Sequence, residues 1–384
     1  MTITAESESL HRRVRAFIDT APEPRRLNTA PEPRRLETAP EPRRPDAPDP
    51  GGFDELALEI APFQARQVPA LARLLAARGV DIDGARDAGA IPAVPCDAFR
   101  LARVAAHPAE LDERVFRTSG TSDVLRGEHF FRTTRTYEAA AVRWGRAMLF
   151  FELGPDTPTI ALAPPLAECP DSSLGFMIDR FARALGGPAS WHLHEGAIDV
   201  ESLTRACAEA RRRGVPALVL GTSFAFVHLS EAADRGDLTL PAGSRAMQTG
   251  GFKGRAREVS PGEMRALILE LFGLREPSIV GEYGMTELSS QLYEATLSGG
   301  AHGVYHPPPW LRVSAVDPTT LEPVPDGEIG LARMVDLANV DSAVAVQTSD
   351  RVRVTAGGVE LLGRQPGATP RGCSLAIDRM LERP

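Results

Sequence analysis

PSIVGEYGMTE, residues 277–287, begins as a buried strand and ends in the polar cluster Glu282-Tyr283-Gly284-Met285-Thr286-Glu287. In an open parallel sheet the loops beyond the strand carboxyl ends face the ligand crevice. An aromatic ring, a hydroxyl and two carboxylates set there are candidate ligand contacts. The surrounding sequence predicts such a sheet. TIALAPP (159–165), PALVLGTS (216–223) and SRAMQTGG (244–251) each read as a strand running into a loop. Between them lie helical stretches, YEAAAVRWGRAMLFFEL (137–153), SLTRACAEARRR (202–213) and PGEMRALILELFG (261–273). The last has Pro near its start and Gly at its end, the punctuation expected of a helix. Strands alternating with helices point to a layered, mostly parallel α/β body.

Upstream, residues 64–78 show helical spacing of Val68, Leu71, Leu74 and Leu75 and stop at Gly79. IPAVPCDAF (91–99) reads as an extended, Pro-punctuated segment. From about 311 the texture changes to short β-like runs, WLRVSAVDPTT, GEIGLARMVD, AVAVQTSDRVRV and VELLGR, which suggest a small β subdomain. Four parts are expected: a short amphipathic helix (1–19) with Leu10, Val14, Phe17 and Ile18 on one face, a linker (20–52), an α/β core (53–310), and a β subdomain with the C-terminal tail (311–384). The linker repeats TAPEPRRLN, TAPEPRRLE and TAPEPRRPD, too rich in Pro for a helix and too polar for a solenoid, so a disordered or polyproline-like spacer is predicted.

Composition excludes several classes. A formal net charge of −8 gives no footprint for nucleic acid. No run of about 18 apolar residues predicts a membrane span, and the N-terminus lacks the apolar region of a secretory signal, so a cytoplasmic protein is expected. Cys96, Cys169, Cys207 and Cys373 form no C-x-x-C pair and are read as free thiols. The eight histidines offer no metal-ligand spacing, and no G-x-S-x-G elbow occurs. Lys253 is the only lysine among 43 basic residues. Codon bias toward Arg explains the scarcity; the surviving lysine marks a place where a compact ammonium suits better than a planar fork.

A second cluster lies about 160 residues before the first. FRTSGTS (116–122) surrounds a glycine with hydroxyls, and Thr118, Ser119, Gly120, Thr121 and Ser122 offer backbone N–H groups and side-chain donors to phosphate oxygens. Thr348-Ser349-Asp350 supplies a carboxylate able to accept two hydroxyl donors, and Gly363-Arg364 follows. Gly250-Gly251-Phe252-Lys253-Gly254 lies between, with glycines that let backbone approach a ligand closely.

In this order the motifs resemble the adenylate-forming enzymes, which use ATP to turn a carboxylate into an acyl-adenylate. The resemblance implies roles. Residues 118–122 form the phosphate loop, Tyr283 stacks on adenine, Thr286 contacts the α-phosphate, Glu287 holds Mg²⁺ and Asp350 holds the ribose. Glu282 and Gly284 complete the strand-end motif, Gly250 and Gly251 line the adenine and acyl pocket, Lys253 neutralises the substrate carboxylate or α-phosphate, and Arg364 opens the hinge. The usual Gly-Pro-Lys continuation of the loop is replaced by Asp123-Val124-Leu125-Arg126-Gly127, which leaves Arg126 as a candidate cation. IPAVPCDAF (91–99), VFRTSGTS (115–122), GGFKG (250–254), GEYGMTE (281–287) and ELLGRQPGATPRGCSL (360–375) resemble the LuxE-type acyl-protein synthetases in particular. That branch implies an adenylate-forming core lacking most of the C-terminal lid, since only twenty residues follow Arg364. It also implies acyl transfer to a cysteine near the C-terminus, which Cys373 matches, with Arg371 nearby to favour the thiolate. The implied partners are a carboxylic, fatty-type acid and an acyl-accepting protein such as a fatty-acyl reductase or carrier protein. Two other readings stay open, a ligase delivering the adenylate to coenzyme A, a carrier thiol or an amine, and a nucleotide-binding protein without activity. Phe224, Phe226 and Trp191 are candidates for an apolar pocket.

Overall fold

Side-chain alternation along the strands builds the layers. In Leu218–Thr222, Leu218 and Leu220 enter one hydrophobic core while Val219 enters a second on the opposite face. Ala161 and Ile160, Met247 and Ala246, and Val280 and Ile279 divide in the same way. Strands buried on both faces need helices on both faces. The helices Val200–Arg213, Ser223–Ala232 and Pro261–Phe272 cover one side through Leu203, Phe226 and Ile268. Arg135–Met148 and Ser173–Ala184 cover the other through Trp144 and Phe181. The computed structural model describes residues 3–22, 52–119, 125–233, 236–250, 259–365 and 380.

Five parallel strands lie in the order Ala189–Trp191, Thr159–Leu162, Leu218–Thr222, Arg245–Thr249, Ile279–Tyr283. The sheet then turns antiparallel through Leu292–Glu294, Val304–His306, Gly358–Arg364, Ala345–Thr355, Ile329–Asp336 and Leu311–Val316. Val94–Pro95 adds parallel to Ala345–Thr355, giving twelve strands. The β-rich region after 311 therefore extends the parallel sheet instead of forming a sheet of its own. Val304–His306 makes the join by pairing with Gly358–Arg364. Together these elements form a mixed α/β body.

Local sequence explains the element ends. Pro261–Phe272 starts at a reciprocal capping box between Ser260 and Glu263 and stops at Gly273 in the left-handed region. The single helix expected over 64–78 is two, Phe53–Gln67 and Pro69–Ala77. Pro69 has no N–H to continue the first, and Val68 is extended at φ −115°. The N-terminal helix Ile3–Thr20 packs against Arg135–Met148, burying Leu10, Val14 and Ile18. No helix among the described residues is long and apolar enough to cross a membrane.

Candidate active site

The carboxyl ends of Arg245–Thr249 and Ile279–Tyr283 are level, with Thr249 opposite Glu282 in the register. Alternation sends Tyr283 and Glu282 to opposite faces. Tyr283 donates its hydroxyl to Asp350 Oδ2 at 2.7 Å. Arg364 Nε approaches Asp350 Oδ1 at 3.3 Å, and the two residues are cross-strand partners. Burial, then the Asp350 charge, hold the tyrosine well above its usual pKa, which keeps it a donor. Three residues from three motifs thus meet at the seam between the parallel and antiparallel halves of the sheet. Each carboxylate oxygen keeps a further lone pair for a ligand hydroxyl.

Glu282 turns inward. It is buried and accepts a hydrogen bond from the Thr249 hydroxyl. Burial pushes its carboxyl up to about 7. The chain must turn tightly over it. A Cβ on Gly284 would fall 2.4 Å from Glu282 Oε1, so any larger residue there would displace the Glu282 carboxyl. Ser223, opening the helix after Leu218–Thr222, donates to the Gly250 carbonyl at 2.5 Å and so ties two neighbouring strand ends together.

The phosphate-loop motif reaches the same region. Gly127 N donates to Thr118 Oγ1 at 2.9 Å, and Thr118 N donates to the Gly127 carbonyl at 3.0 Å, closing the base of the loop. A Cβ on Gly127 would lie 3.1 Å from Thr118 Cγ2, 3.4 Å from Glu287 Oε1 and 3.6 Å from Arg100 Cγ. Arg126, the candidate cation, is instead committed to structure. Its Nε donates to the Thr118 carbonyl at 2.6 Å and its guanidinium pairs with Asp171 at 2.8 Å.

The turn carrying Thr286 and Glu287 is held from beneath by residues that sequence reasoning passed over. His129 Nδ1 bonds the Thr286 carbonyl at 2.8 Å, and burial drops its pKa to about 4, so the ring is neutral and donates. Asn339 Nδ2 donates to the Glu287 carbonyl at 2.9 Å. Asp336 accepts from Ser289 N at 3.0 Å and Ser290 Oγ at 2.8 Å. The signal available was the polar run Asn339-Val340-Asp341-Ser342 within an otherwise apolar stretch.

Thr118, Ser119, Gly250, Glu282, Tyr283, Gly284, Thr286, Glu287, Asp350 and Arg364 are therefore placed, and hydrogen bonds and close contacts join most of them around one end of the sheet. Gly120, Thr121, Ser122, Gly251, Lys253 and Cys373 lie outside the described residues, as does nearly all of the nine-residue repeat. Among the described residues no group of three or more His, Cys, Asp or Glu could hold a metal. A cation at Glu287 would share its coordination with a ligand, as Mg²⁺ commonly does through one or two carboxylates and substrate phosphates. Phe226 is buried in the core between helices, and Phe224 packs beside His228. Cys207 is buried, its thiol pushed up to about 12, as an inert core residue would be.

The acyl-protein synthetase family LuxE matches residues 200–382. Over those residues the chain is similar to that family. It is 22% identical over 320 residues to the long-chain-fatty-acid–luciferin-component ligase of Aliivibrio fischeri, spanning 76% of this chain and 79% of that one. The ligase of the same name from Vibrio harveyi is 26% identical over 204 residues, half of this chain and 52% of its own. Among solved structures, an open conformation of 2-hydroxyisobutyryl-CoA ligase, in complex with 2-HIB-AMP and CoA, superposes with a TM-score of 0.60 at 17% identity, over 83% of this chain and 76% of that one. The same ligase in a postadenylation state gives 0.60 at 16% identity, over 81% and 67%. The chain thus shares the fold of that ligase, and the family match covers the strand-end motif, Asp350 and Arg364.

Proposed function

We propose that this chain is an AMP-forming ligase that activates a fatty-type carboxylic acid with ATP and then passes the acyl group to its own Cys373. The 2.7 Å bond between Tyr283 and Asp350 carries the reading, because it joins the strand-end motif to the ribose motif at one seam. Asp350 accepts the ribose hydroxyls while the Tyr283 ring lies along adenine. Thr118, Ser119 and residues 120–122 donate to the triphosphate, Thr286 to the α-phosphate. Lys253 draws the substrate carboxylate toward the α-phosphorus. A carboxylate oxygen attacks phosphorus, the bond to pyrophosphate breaks, and acyl-AMP forms. Glu287, beside Gly127, fits Mg²⁺, which when bound would neutralise charge on the departing pyrophosphate.

The Cys373 thiolate then attacks the acyl carbon. The C–O bond to AMP breaks, AMP leaves with that electron pair, and the thiol proton goes to solvent. Reach supports this step. Gln365 N is bonded to the Ser349 carbonyl at 2.9 Å, beside Asp350. Cys373 is eight residues further on, a span of at most roughly 28 Å at full extension. A second protein, of the fatty-acyl reductase or carrier type, would take the acyl group from Cys373.

The test is acid-dependent exchange of labelled pyrophosphate into ATP, followed by labelling with radioactive acid and denaturation. Wild type is expected to exchange and to retain label; Cys373→Ser is expected to exchange and retain none. No exchange with acids of any chain length or ring content removes the ligase reading. Full labelling of Cys373→Ser removes the cysteine alone.

A further inference from the structure

The N-terminal helix buries polar residues where an ordinary packing helix would bury apolar ones. Ser7 and His11 are both buried. His11 Nε2 lies 2.8 Å from Asp341 Oδ2 and its Nδ1 2.8 Å from Thr136 Oγ1. Ser7 Oγ donates to Asp341 Oδ1 at 2.5 Å, and Arg132 Nε sits 3.3 Å from Asp341 Oδ2. Asp341 is itself nearly inaccessible. A buried carboxylate with these donors is stable only while they are present, since removing one partner of a buried pair leaves an uncompensated charge.

Asp341 belongs to the buried segment that supports the Glu287 turn. Two residues before it, Asn339 Nδ2 donates to the Glu287 carbonyl at 2.9 Å and to the Ala343 carbonyl at 3.0 Å. Gln64 donates to the Val340 carbonyl at 2.9 Å and accepts from Val344 N at 2.9 Å, fixing the far side of the segment. His11, His129, Asn339 and Asp341 line one small cavity of about 10 Å³, so the helix, the segment and the strand beneath Thr286 converge at a single point. Packing that close passes a displacement at Asp341 on to Asn339.

We propose that His11 is a positioning residue for the Glu287 turn: through Asp341 and Asn339 the N-terminal helix sets where the Glu287 carboxylate stands relative to Thr118 and Gly127. His11 touches none of the reacting groups, and its effect on turnover rests on the ligase reading above. The relation of helix to site is that of an outer support to a metal or phosphate ligand, whose loss typically costs 10–100-fold in affinity or activity.

The test uses full-length variants His11→Ala, His11→Gln, Asn339→Ala and the double variant His11→Ala/Asn339→Ala. Two readouts are taken, hydrogen–deuterium exchange of the amides of residues 285–290 and pyrophosphate exchange against Mg²⁺ concentration. Gln keeps an N–H donor for Asp341. His11→Ala is expected to speed amide exchange at 285–290 at least 10-fold and to raise the Mg²⁺ concentration at half-maximal rate about 10-fold. His11→Gln should restore most of both. The double variant should be no worse than the worse single one, because both changes break one linkage. Amide exchange at 285–290 unchanged in a folded His11→Ala overturns the proposal, whatever the activity. So do multiplicative losses in the double variant. If wild type shows no pyrophosphate exchange, the ligase reading fails, and the amide measurement still decides the positioning role. If His11→Ala does not fold, Asn339→Ala carries the decision. Wild-type behaviour of Asn339→Ala at 285–290 then refutes the linkage.

Discussion

Replacing Glu282 with glutamine tests the electrostatics at the strand end. The folded chain raises this carboxyl from its ordinary 4.5 to about 7, because burial penalises the ionised form more than the Thr249 hydrogen bond favours it. Between those two values the folded chain keeps a proton that the unfolded chain has released. Stability therefore falls as pH rises through that window and stays lowered above it. At about 1.4 kcal/mol for each pH unit, a rise of about 2.5 units corresponds to roughly 3 kcal/mol. Glu282→Gln is neutral throughout and keeps a carbonyl for the Thr249 hydroxyl. Relative to wild type it should gain about 2–3 kcal/mol on going from pH 5 to pH 8. Asp336, also buried and raised to about 6, responds identically in both proteins and drops out of the comparison. Equilibrium urea unfolding at the two pH values, followed by near-ultraviolet circular dichroism, measures the difference. Parallel pH responses of the two proteins would refute the reasoning.

Asp350→Ala should raise the KM for ATP about 10-fold or more, since hydrogen bonds to a charged acceptor are worth about 1.5–3 kcal/mol each; an unchanged KM in pyrophosphate exchange removes the ribose role. Gly281→Ala puts a Cβ 2.8 Å from both Glu294 Cδ and Tyr305 Oη, and overpacking of this kind costs about 1–3 kcal/mol. A lowered unfolding midpoint is expected, and no change would mean the neighbouring strand yields freely. His129 is held neutral by burial, its pKa about 4 against an ordinary 6.5. Stability should fall as pH drops through that interval, and His129→Gln should flatten the acid limb of a stability–pH curve; an equally steep limb in the variant counts against it.

Sequence alone went far where a residue's role is local. Pro261 and Gly273 marked both ends of a helix, and the apolar runs before Thr249 and Tyr283 announced parallel strands ending in polar loops. It was silent where pairing is long-range. Nothing in GVELLGR says that Gly358–Arg364 will pair with Val304–His306, because strand propensity carries no partner identity, so the runs after 311 suggested a small β subdomain without showing how it joins the parallel sheet. The site divides the same way. Tyr283, Glu287 and Asp350 could be proposed because their order and spacing match a motif. The pairing of Arg126 with Asp171 was hidden, since the two are 45 residues apart in sequence. His129, Asn339 and Asp336 carry no motif; their importance comes from which carbonyl or amide they reach, and that exists only in the folded chain.

His11 and Asp341 are 330 residues apart. A ribosome adding about 5–20 residues per second needs roughly 16–66 s to make that stretch. Throughout this time the N-terminal helix exists without its counter-charge, although the helix Arg135–Met148 that covers Leu10, Val14 and Ile18 is made much earlier. The apolar side of this helix can thus be covered well before its buried polar pairing with Asp341 can close.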